Sequence, residues 1–179
     1  FLDTADTDAI EKAYTTGIID GVTTNPTLIR KSGRDPEEVY QQLIDYGIND
    51  ISMEVVGDFN VMFEEGTRLS RKFGKACTIK VPCTPDGLRV CRELSRDLVN
   101  VNVTLIFSAA QAILAAKCGA KYVSPFVGRV DDNSFSGIEL IEQISDIYTI
   151  QNVHKTEILS ASIRDVKSVS DSFASGAHV

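Results

Sequence analysis

One stretch of the chain decides the fold class: ACTIKV at residues 76–81, TPDGLRVCRELSRDL at 84–98 and VNVTL at 101–105. The first and third segments are short and apolar, with the β-branched residues that are typical of buried strands. The middle segment is long and amphipathic, and it opens with Thr-Pro-Asp, a helix-start signal. A strand, a helix and a second strand in this order form a βαβ unit of a parallel sheet. These residues therefore predict an α/β protein.

The same alternation runs through the whole chain. The predicted strands are 1–3, 21–24, 51–56, 76–81, 101–105, 121–124 and 157–160, with 177–179 opening an eighth. Helices are predicted between them, for example over 36–46, 60–73, 84–98 and 108–118. Seven βα units and the start of another predict a (β/α)₈ TIM barrel that is cut off at its eighth strand.

An open, doubly wound sheet is the alternative fold. Such sheets usually carry a glycine-rich phosphate turn after a strand, and the chain contains neither GxGxxG nor GxxxxGK[ST]. We also find no linker and no low-complexity segment. Residues 1–179 are therefore predicted to form a single barrel domain that is incomplete at its C-terminal end.

Composition narrows the class of partner. The 179 residues include 18 basic and 25 acidic side chains, for a net charge of −7, which argues against nucleic acid or an anionic membrane surface as a partner. The longest apolar stretch, 103–116, is shorter than a bilayer span of about 20 residues. The four cysteines, Cys77, Cys83, Cys91 and Cys118, have no zinc-ligand spacing. We expect reduced thiols in a cytoplasmic protein with no metal, and small molecules or other protein chains as partners.

Polar residues follow or end each predicted strand. They are Asp3, Thr23, Thr24, Asn25, Glu54, Lys80, Asn102, Thr104, Ser124, Arg129, Ser162 and Arg164. Any one of them also fits a helix cap or a turn. Because active sites of barrels lie at the carboxyl ends of the strands, the repetition over seven strands indicates a site at that end.

Lys80 lies inside a strand that otherwise looks fully buried. Desolvation would favour its neutral amine, the form that attacks a carbonyl to make a Schiff base. Alternatively, its stem lies along the mouth of the barrel and its amine reaches water. Asp3 and Glu54 would face the same mouth and fit the proton transfers of Schiff-base chemistry, or one of them forms an ion pair that keeps Lys80 charged.

Arg129 and Arg164 follow the sixth and seventh predicted strands. The planar guanidinium fork suits phosphate oxygens, and Ser162 could add a hydroxyl donor. Alternatively, Arg129 is a solvated loop charge that pairs with Asp131 or Asp132. Together the two arginines favour a phosphorylated substrate.

Six blocks of sequence resemble the transaldolase family, in particular its short subfamily of small transaldolases and fructose-6-phosphate aldolase-like proteins. The blocks are FLDTAD at 1–6, GVTTNPTLI at 21–29, IKVP at 79–82, NVTLIFS at 102–108, YVSPFVGR at 122–129 and ASIR at 161–164. The resemblance runs from residue 1 to residue 179. It implies a class I aldolase-type barrel with neither metal nor organic cofactor.

The resemblance also assigns roles to the polar residues. Lys80 takes the place of the Schiff-base lysine, and Asp3 that of the acid/base at the C4 hydroxyl. Glu54 matches the carboxylate that, with a bound water and Thr104, moves protons during Schiff-base formation and hydrolysis. The remaining positions match substrate-binding residues: Thr23, Asn25, Asn102, Ser124 and Phe126 at the donor, and Arg129, Ser162 and Arg164 at its phosphate.

Two positions separate the activities within this subfamily. Fructose-6-phosphate aldolases carry Gln where this chain has Glu54 and Tyr where it has Phe126, whereas transaldolases carry Glu and Phe. The resemblance therefore implies a transaldolase of the pentose phosphate pathway. It would move dihydroxyacetone from sedoheptulose 7-phosphate or fructose 6-phosphate to glyceraldehyde 3-phosphate or erythrose 4-phosphate.

Two alternatives remain open: an aldolase that releases free dihydroxyacetone, and a non-catalytic protein that binds sugar phosphates. The resemblance further implies a homo-oligomer, a ring of five subunits or a pair of such rings.

Overall fold

Seven strands and nine α-helices make up the computed structural model, which describes residues 1–179 as two compact units, Phe1–Lys80 and Val81–Val179. The first unit contains β1 (Leu2–Asp3), α1 (Thr7–Tyr14), β2 (Val22–Thr23), α2 (Pro26–Ser32), α3 (Pro36–Asp45), β3 (Ile51–Glu54), α4 (Phe59–Phe73) and a 3₁₀ turn (Gly74–Ala76). The chain passes into the second unit within β4 (Cys77–Pro82). The second unit contains α5 (Pro85–Arg96), β5 (Asn100–Ile106), α6 (Ala109–Lys117), β6 (Tyr122–Pro125), α7 (Val127–Asp131), α8 (Gly137–Ile150), β7 (Glu157–Ile158) and α9 (Val166–Ala174).

Eight of the nine helices begin at a residue whose side chain accepts a hydrogen bond from a backbone N–H of the first turn, which satisfies a donor that has no partner within the helix. These caps are Asp6, Asn25, Asp35, Asp58, Thr84, Ser108, Ser136 and Asp165. Helix α7 has no side-chain cap. Its first two N–H groups, of Val127 and Gly128, instead donate to the carbonyls of Ala161 and Ser162 at 3.0 and 3.2 Å.

In the first unit the strands pair in parallel and in sequence order, β1 to β2 to β3 to β4. Both faces of β3 and β4 are largely buried. Polar and apolar side chains alternate along each strand, so one face is polar and the other is apolar. Ile51 and Met53 are fully buried on one face of β3, while Ser52 and Glu54 lie on the other. The register places Glu54 beside Lys80 on the polar face.

In the second unit β5, β6 and β7 also pair in parallel and in sequence order. The register between β5 and β6 shifts between Val103 and Ile106, and within this stretch Leu105 has a positive φ of 60°. A non-glycine residue in this region marks an irregularity that the surrounding structure enforces. Thr104, a candidate site residue, lies within this irregular stretch.

The first seven predicted strands are confirmed in position, and β1, β2 and β7 are only two residues long. Two segments carry two helices where the alternation predicts one: α2 and α3 before β3, and α7 and α8 before β7. In both cases the extra helix is short and follows the strand directly. Residues 177–179 form no assigned strand, although His178 N and Val179 N both donate to the carbonyl of Ile158.

The observed topology bears on the two predicted folds. A doubly wound sheet reverses its strand order at a switch point, and neither unit contains such a reversal. The α/β class with parallel strands in sequence order is therefore confirmed and is consistent with a truncated TIM barrel. The complete eight-stranded barrel and the single domain over 1–179 remain predictions. No helix is both long and apolar enough to cross a bilayer.

Candidate active site

Lys80 is buried in β4, and its side-chain amine contacts two groups. Its Nζ lies 3.1 Å from Glu54 Oε2 and donates to the backbone carbonyl of Thr24 at 3.0 Å. The Lys80 and Glu54 side chains are only 8% and 13% exposed, so the ion pair lies almost entirely out of water. Of the arrangements considered from sequence, the ion pair is the one present. The stem of Lys80 does not carry its amine out into solvent.

The strand register produces this arrangement. Glu54 and Lys80 are register partners on neighbouring strands, and Val55 N donates to the Lys80 carbonyl at 3.0 Å. Thr24 directly follows β2, and both its N–H and its hydroxyl donate to the carbonyl of Ser52, at 3.1 and 2.9 Å. These two bonds hold Thr24 in place, and its carbonyl accepts the hydrogen bond from Lys80.

Tyr40 of α3 packs behind Thr24. The Thr24 hydroxyl lies 3.5 Å from the Tyr40 hydroxyl, and both residues are buried. Burial raises the pKa of Tyr40, so its hydroxyl stays protonated and neutral at physiological pH. Tyr40 therefore adds no second negative charge beside Glu54.

Asp3 and Thr23 form a second polar pair, at the ends of β1 and β2. The Thr23 hydroxyl donates to Asp3 Oδ1 at 2.8 Å, and the two residues are register partners. Asp3 is exposed, so its second carboxylate oxygen is accessible. The structure thus joins Asp3 to Thr23 and does not join it to Lys80.

Asn25 serves as the cap of α2. Its Oδ1 accepts from Leu28 N at 3.0 Å, so the helix-cap interpretation of this residue is correct. The cap uses only the amide oxygen and leaves the amide NH₂ group to donate elsewhere.

The candidate residues of β5 and β6 are among the most deeply buried polar groups of the second unit. Ser124 Oγ donates to Asn102 Oδ1 at 2.7 Å. Thr104 Oγ1 is also buried and has no hydrogen-bond partner in the protein. An unsatisfied buried hydroxyl is costly, and native proteins keep few of them.

Phe126, directly after β6, sits between another aromatic ring and an arginine. Its ring centroid lies 5.7 Å from that of Phe107, and the guanidinium of Arg129 lies 5.0 Å from the Phe126 centroid. The side chain of Phe107 is 45% exposed although large and apolar. Arg129 therefore stacks on an aromatic face.

Arg164 forms an ion pair with Asp132, one of the two aspartates considered as alternative partners of Arg129. Its Nη1 and Nη2 donate to the two carboxylate oxygens of Asp132 at 2.5 and 2.6 Å. The hydrogen bonds and charge of Arg164 lower the pKa of Asp132, and Asp132 in turn raises the pKa of Arg164. Asp131 has a different task, because its Oδ1 accepts from Gly137 N at the start of α8.

Ser162 lies between β7 and Arg164 in a left-handed backbone conformation, with φ at 58°. Its carbonyl accepts from Gly128 N, and a Cβ at Gly128 would come within 2.4 Å of that oxygen. Glycine is thus required at 128 for the segment carrying Ser162 and Arg164 to approach α7. Strained non-glycine residues of this kind concentrate at functional sites.

Three features of the candidate site were missed from sequence: the Thr24 carbonyl, the Phe107 ring and the pairing of Asp132 with Arg164. No residue-type signal identifies the Thr24 carbonyl, because every residue has one. Phe107 follows a strand directly, as the other candidates do, and that position could have identified it. The pairing of Asp132 with Arg164 has no signal in the sequence, because spacing does not reveal which side chain meets Asp132.

Comparison with known proteins agrees with the resemblance. A model of the family described as Transaldolase/Fructose-6-phosphate aldolase matches residues 1–179. The chain belongs to this family. Relatives named "Probable transaldolase" include one from Paracoccus denitrificans, 51% identical over 183 residues that span all of this chain and 82% of the relative. Others are from Nitrosopumilus maritimus, 47% identical with 81% of the relative covered, and Clostridium kluyveri, 49% identical with 83% covered.

A comparison with solved structures found proteins with a fold similar to that of this chain. An L230A mutant flavocytochrome b2 with benzoylformate superposes with a TM-score of 0.66 at 14% sequence identity, covering 88% of this chain and 47% of that protein. At this level of identity the match supports the fold class of the family member described here and carries nothing about its chemistry.

Proposed function

We propose that this chain is a transaldolase that transfers a dihydroxyacetone unit from a ketose phosphate to an aldose phosphate through a Schiff base on Lys80. The observation that carries the proposal is the buried Lys80–Glu54 pair, 3.1 Å apart, in a chain that matches the family from end to end. The names of the relatives support the same activity.

In this mechanism, Glu54 first accepts a proton from the Lys80 ammonium, which leaves a neutral amine. The amine attacks the C2 carbonyl carbon of the donor and forms a carbinolamine. Glu54 then returns a proton, through a water held by Thr104, to the C2 hydroxyl, which leaves as water and gives the protonated imine. The unpartnered hydroxyl of Thr104 supports this role, because a bound water would give it the partner that the protein lacks.

Cleavage and transfer then involve Asp3. Its carboxylate takes the proton of the C4 hydroxyl as the C3–C4 bond breaks, and the electron pair moves through C3 to the imine, giving an enamine on Lys80. The aldose phosphate leaves. The enamine carbon attacks the aldehyde of the acceptor, Asp3 returns the proton to the new hydroxyl, and hydrolysis releases the ketose product.

Substrate binding is assigned to the other candidate residues. Thr23 orients Asp3, while the amide group of Asn25 and the Asn102–Ser124 pair hold the donor hydroxyls. Arg129, Ser162 and Arg164 bind the phosphate, as the guanidinium forks suggest. We further propose that the enzyme acts in the cytoplasm, in the pentose phosphate pathway, as a homo-oligomer of five or ten subunits without metal or organic cofactor. These points rest on the family resemblance.

Transfer is favoured over release of free dihydroxyacetone because of Glu54 and Phe126. Phenylalanine has no hydroxyl to guide water toward the enamine, so the adduct waits for an aldehyde acceptor. The test supplies fructose 6-phosphate with and without erythrose 4-phosphate. We expect sedoheptulose 7-phosphate and glyceraldehyde 3-phosphate with the acceptor, and little free dihydroxyacetone without it.

A pair of variants makes this test specific. Phe126→Tyr should raise dihydroxyacetone release severalfold, whereas Phe135→Tyr, the same change at an exposed phenylalanine, should not. Rapid release by the unmodified enzyme would instead identify an aldolase, and binding of fructose 6-phosphate without turnover would identify a non-catalytic homologue.

A further inference from the structure

The edge of the Arg164 guanidinium formed by Nη1 and Nη2 is already occupied by a carboxylate, that of Asp132. Both terminal nitrogens of its guanidinium donate to the two oxygens of Asp132, at 2.5 and 2.6 Å, in the bidentate geometry that arginine uses for carboxylates and phosphates alike. Both side chains are about half exposed, at 53% and 51%. Solvent and small anions can therefore reach the pair.

The backbone around the pair limits which edge of Arg164 is available. Its Nε side faces α7, because a Cβ built on Gly128 would lie 2.8 Å from Nε and 3.1 Å from Cδ. The edge formed by Nη1 and Nη2 faces away from this contact, and that edge holds Asp132. A phosphate could make a bidentate contact with Arg164 only by displacing the Asp132 carboxylate.

The position of Asp132 is set by the fold. Asp132 directly follows α7, and its N–H donates to the Gly128 carbonyl at 3.1 Å. Gly128 N in turn donates to the Ser162 carbonyl at 3.2 Å. These bonds hold the two segments that carry Asp132 and Arg164 against each other. The pair is therefore a consequence of the backbone arrangement rather than a chance meeting of two long side chains.

We propose that Asp132 is a specificity-determining residue: the Asp132 carboxylate holds the Arg164 guanidinium until a phosphate dianion displaces it. This proposal rests on the phosphate-binding role proposed for Arg164. A dianion carries more charge than the carboxylate and has further oxygens for additional donors, so it can replace Asp132. A monoanion such as acetate matches Asp132 in charge and gains little by the exchange. The site thereby discriminates between anions by charge.

Electrostatics around the pair agree with this assignment. The hydrogen bonds from Arg164, together with the positive charges of Arg164 and Arg129, lower the pKa of Asp132, so it remains a carboxylate at neutral pH. Asp131 also acts on Arg164 through its negative charge. Two arginines are thus offset by two aspartates before any ligand binds. An exposed ion pair of this kind is weak, so substrate can break it and its removal should have a measurable but limited effect.

The test compares Asp132→Asn with Asp171→Asn. Asp171 pairs with Lys167 on α9, so its variant removes the same charge and an ion pair of the same exposed type. Inorganic phosphate is titrated into each protein and followed by ³¹P NMR. We expect Asp132→Asn to bind phosphate about three- to fivefold more tightly than the unmodified chain, and Asp171→Asn to bind it as the unmodified chain does. The gain should shrink at high salt, because the interaction is between exposed charges.

A second readout addresses selectivity and separates this inference from the function on which it rests. In Asp132→Asn, acetate should compete with phosphate more effectively, and the KM for fructose 6-phosphate should fall while the KM for unphosphorylated fructose does not change. Phosphate affinity that is equal in Asp132→Asn and the unmodified chain, or raised equally in Asp171→Asn, would overturn the assignment of Asp132. Borohydride trapping of the adduct on Lys80, measured in the same preparations, reports on the transaldolase proposal independently of phosphate affinity. If the unmodified chain binds no phosphate, both the role of Arg164 and that of Asp132 are wrong.

Discussion

At the scale of single residues, the Lys80–Glu54 pair is hard to explain by stability alone. Taking two charges out of water is expensive, and apolar residues of similar size often stabilise a core equally well or better. A chain selected only for stability would have no need of a lysine between the buried residues Ile79 and Val81. The placement of an amine beside a carboxylate, with a carbonyl as the third partner, is better explained by chemistry.

A substitution at Thr104 should change activity and stability in opposite directions, so the two effects can be measured separately. Its buried hydroxyl has no partner in the protein, so Thr104→Val removes an unsatisfied polar group and nearly preserves the shape. We expect the free energy of unfolding to stay the same or rise by up to about 1 kcal/mol, while the transfer rate falls at least tenfold. Urea unfolding and the transfer assay measure the two effects.

Thr104→Ser is the matched control, because it keeps the hydroxyl. It should retain most of the activity. Loss of stability in Thr104→Val together with full activity would show that the hydroxyl is structural and would remove Thr104 from the mechanism.

At the scale of elements, the sequence predicts what depends on local pattern. The apolar, β-branched run at 76–81 and the Thr-Pro-Asp helix start at 84–86 are local signals, and β4 and α5 are found where these signals predict them. The candidate residues Glu54 and Lys80 could be placed together because parallel strands in sequence order bring such positions side by side.

What the sequence did not predict depends on contacts between distant segments. The left-handed turn at Leu105, the capping of α7 by the carbonyls of Ala161 and Ser162, and the choice of Asp132 by Arg164 are all of this kind. Each is set by how closely two backbones approach. The residue types at these positions carry no signal for it.

Gly128 tests this view of the α7 contact. Gly128→Ala would push a methyl group to within 2.4 Å of the Ser162 carbonyl, a backbone atom that cannot move aside without shifting its segment. We expect a loss of about 1–3 kcal/mol in the free energy of unfolding, together with weaker phosphate binding as Arg164 is displaced. Chemical denaturation and the ³¹P NMR titration check the two outcomes.

Gly33→Ala provides the comparison. Gly33 has a positive φ of 69° and nothing within 4 Å of an added Cβ, so alanine there is strained but displaces no neighbour. It should lower stability by about 1 kcal/mol and leave phosphate binding unchanged. If Gly128→Ala bound phosphate normally, close approach at α7 would not be what positions Arg164.

At the scale of the whole molecule, each of the two units has its own buried interior, and each contains a buried thiol. Cys77 lies in β4 of the first unit and Cys91 in α5 of the second. Burial raises the pKa of both thiols to about 12. Both cysteines therefore stay protonated in the folded protein well above neutral pH.

These thiols predict a loss of stability at alkaline pH. Below about pH 8.5 the thiols are protonated in both the folded and the unfolded states, and their contribution is complete. As the pH rises from there toward 12, only the unfolded state loses the protons, so unfolding becomes easier. We expect up to about 2 kcal/mol of lost stability per thiol at pH 10, measured by urea unfolding at pH 7.5 and pH 10.

The double variant Cys77→Ala/Cys91→Ala supplies the control for this pH effect. It should be less stable at pH 7.5, because two buried side chains are truncated, but it should lose less on going to pH 10. An equal loss in both proteins would show that other groups govern the alkaline transition.

The central claim is that Lys80 is the nucleophile, and reductive trapping tests it most directly. The protein is incubated with fructose 6-phosphate, reduced with borohydride, digested and mapped by mass spectrometry. The account predicts a three-carbon adduct on Lys80, its loss in Lys80→Arg, and its retention in Lys75→Arg, the same change at a nearby exposed lysine. The absence of any adduct, or an adduct on a different lysine, would contradict it.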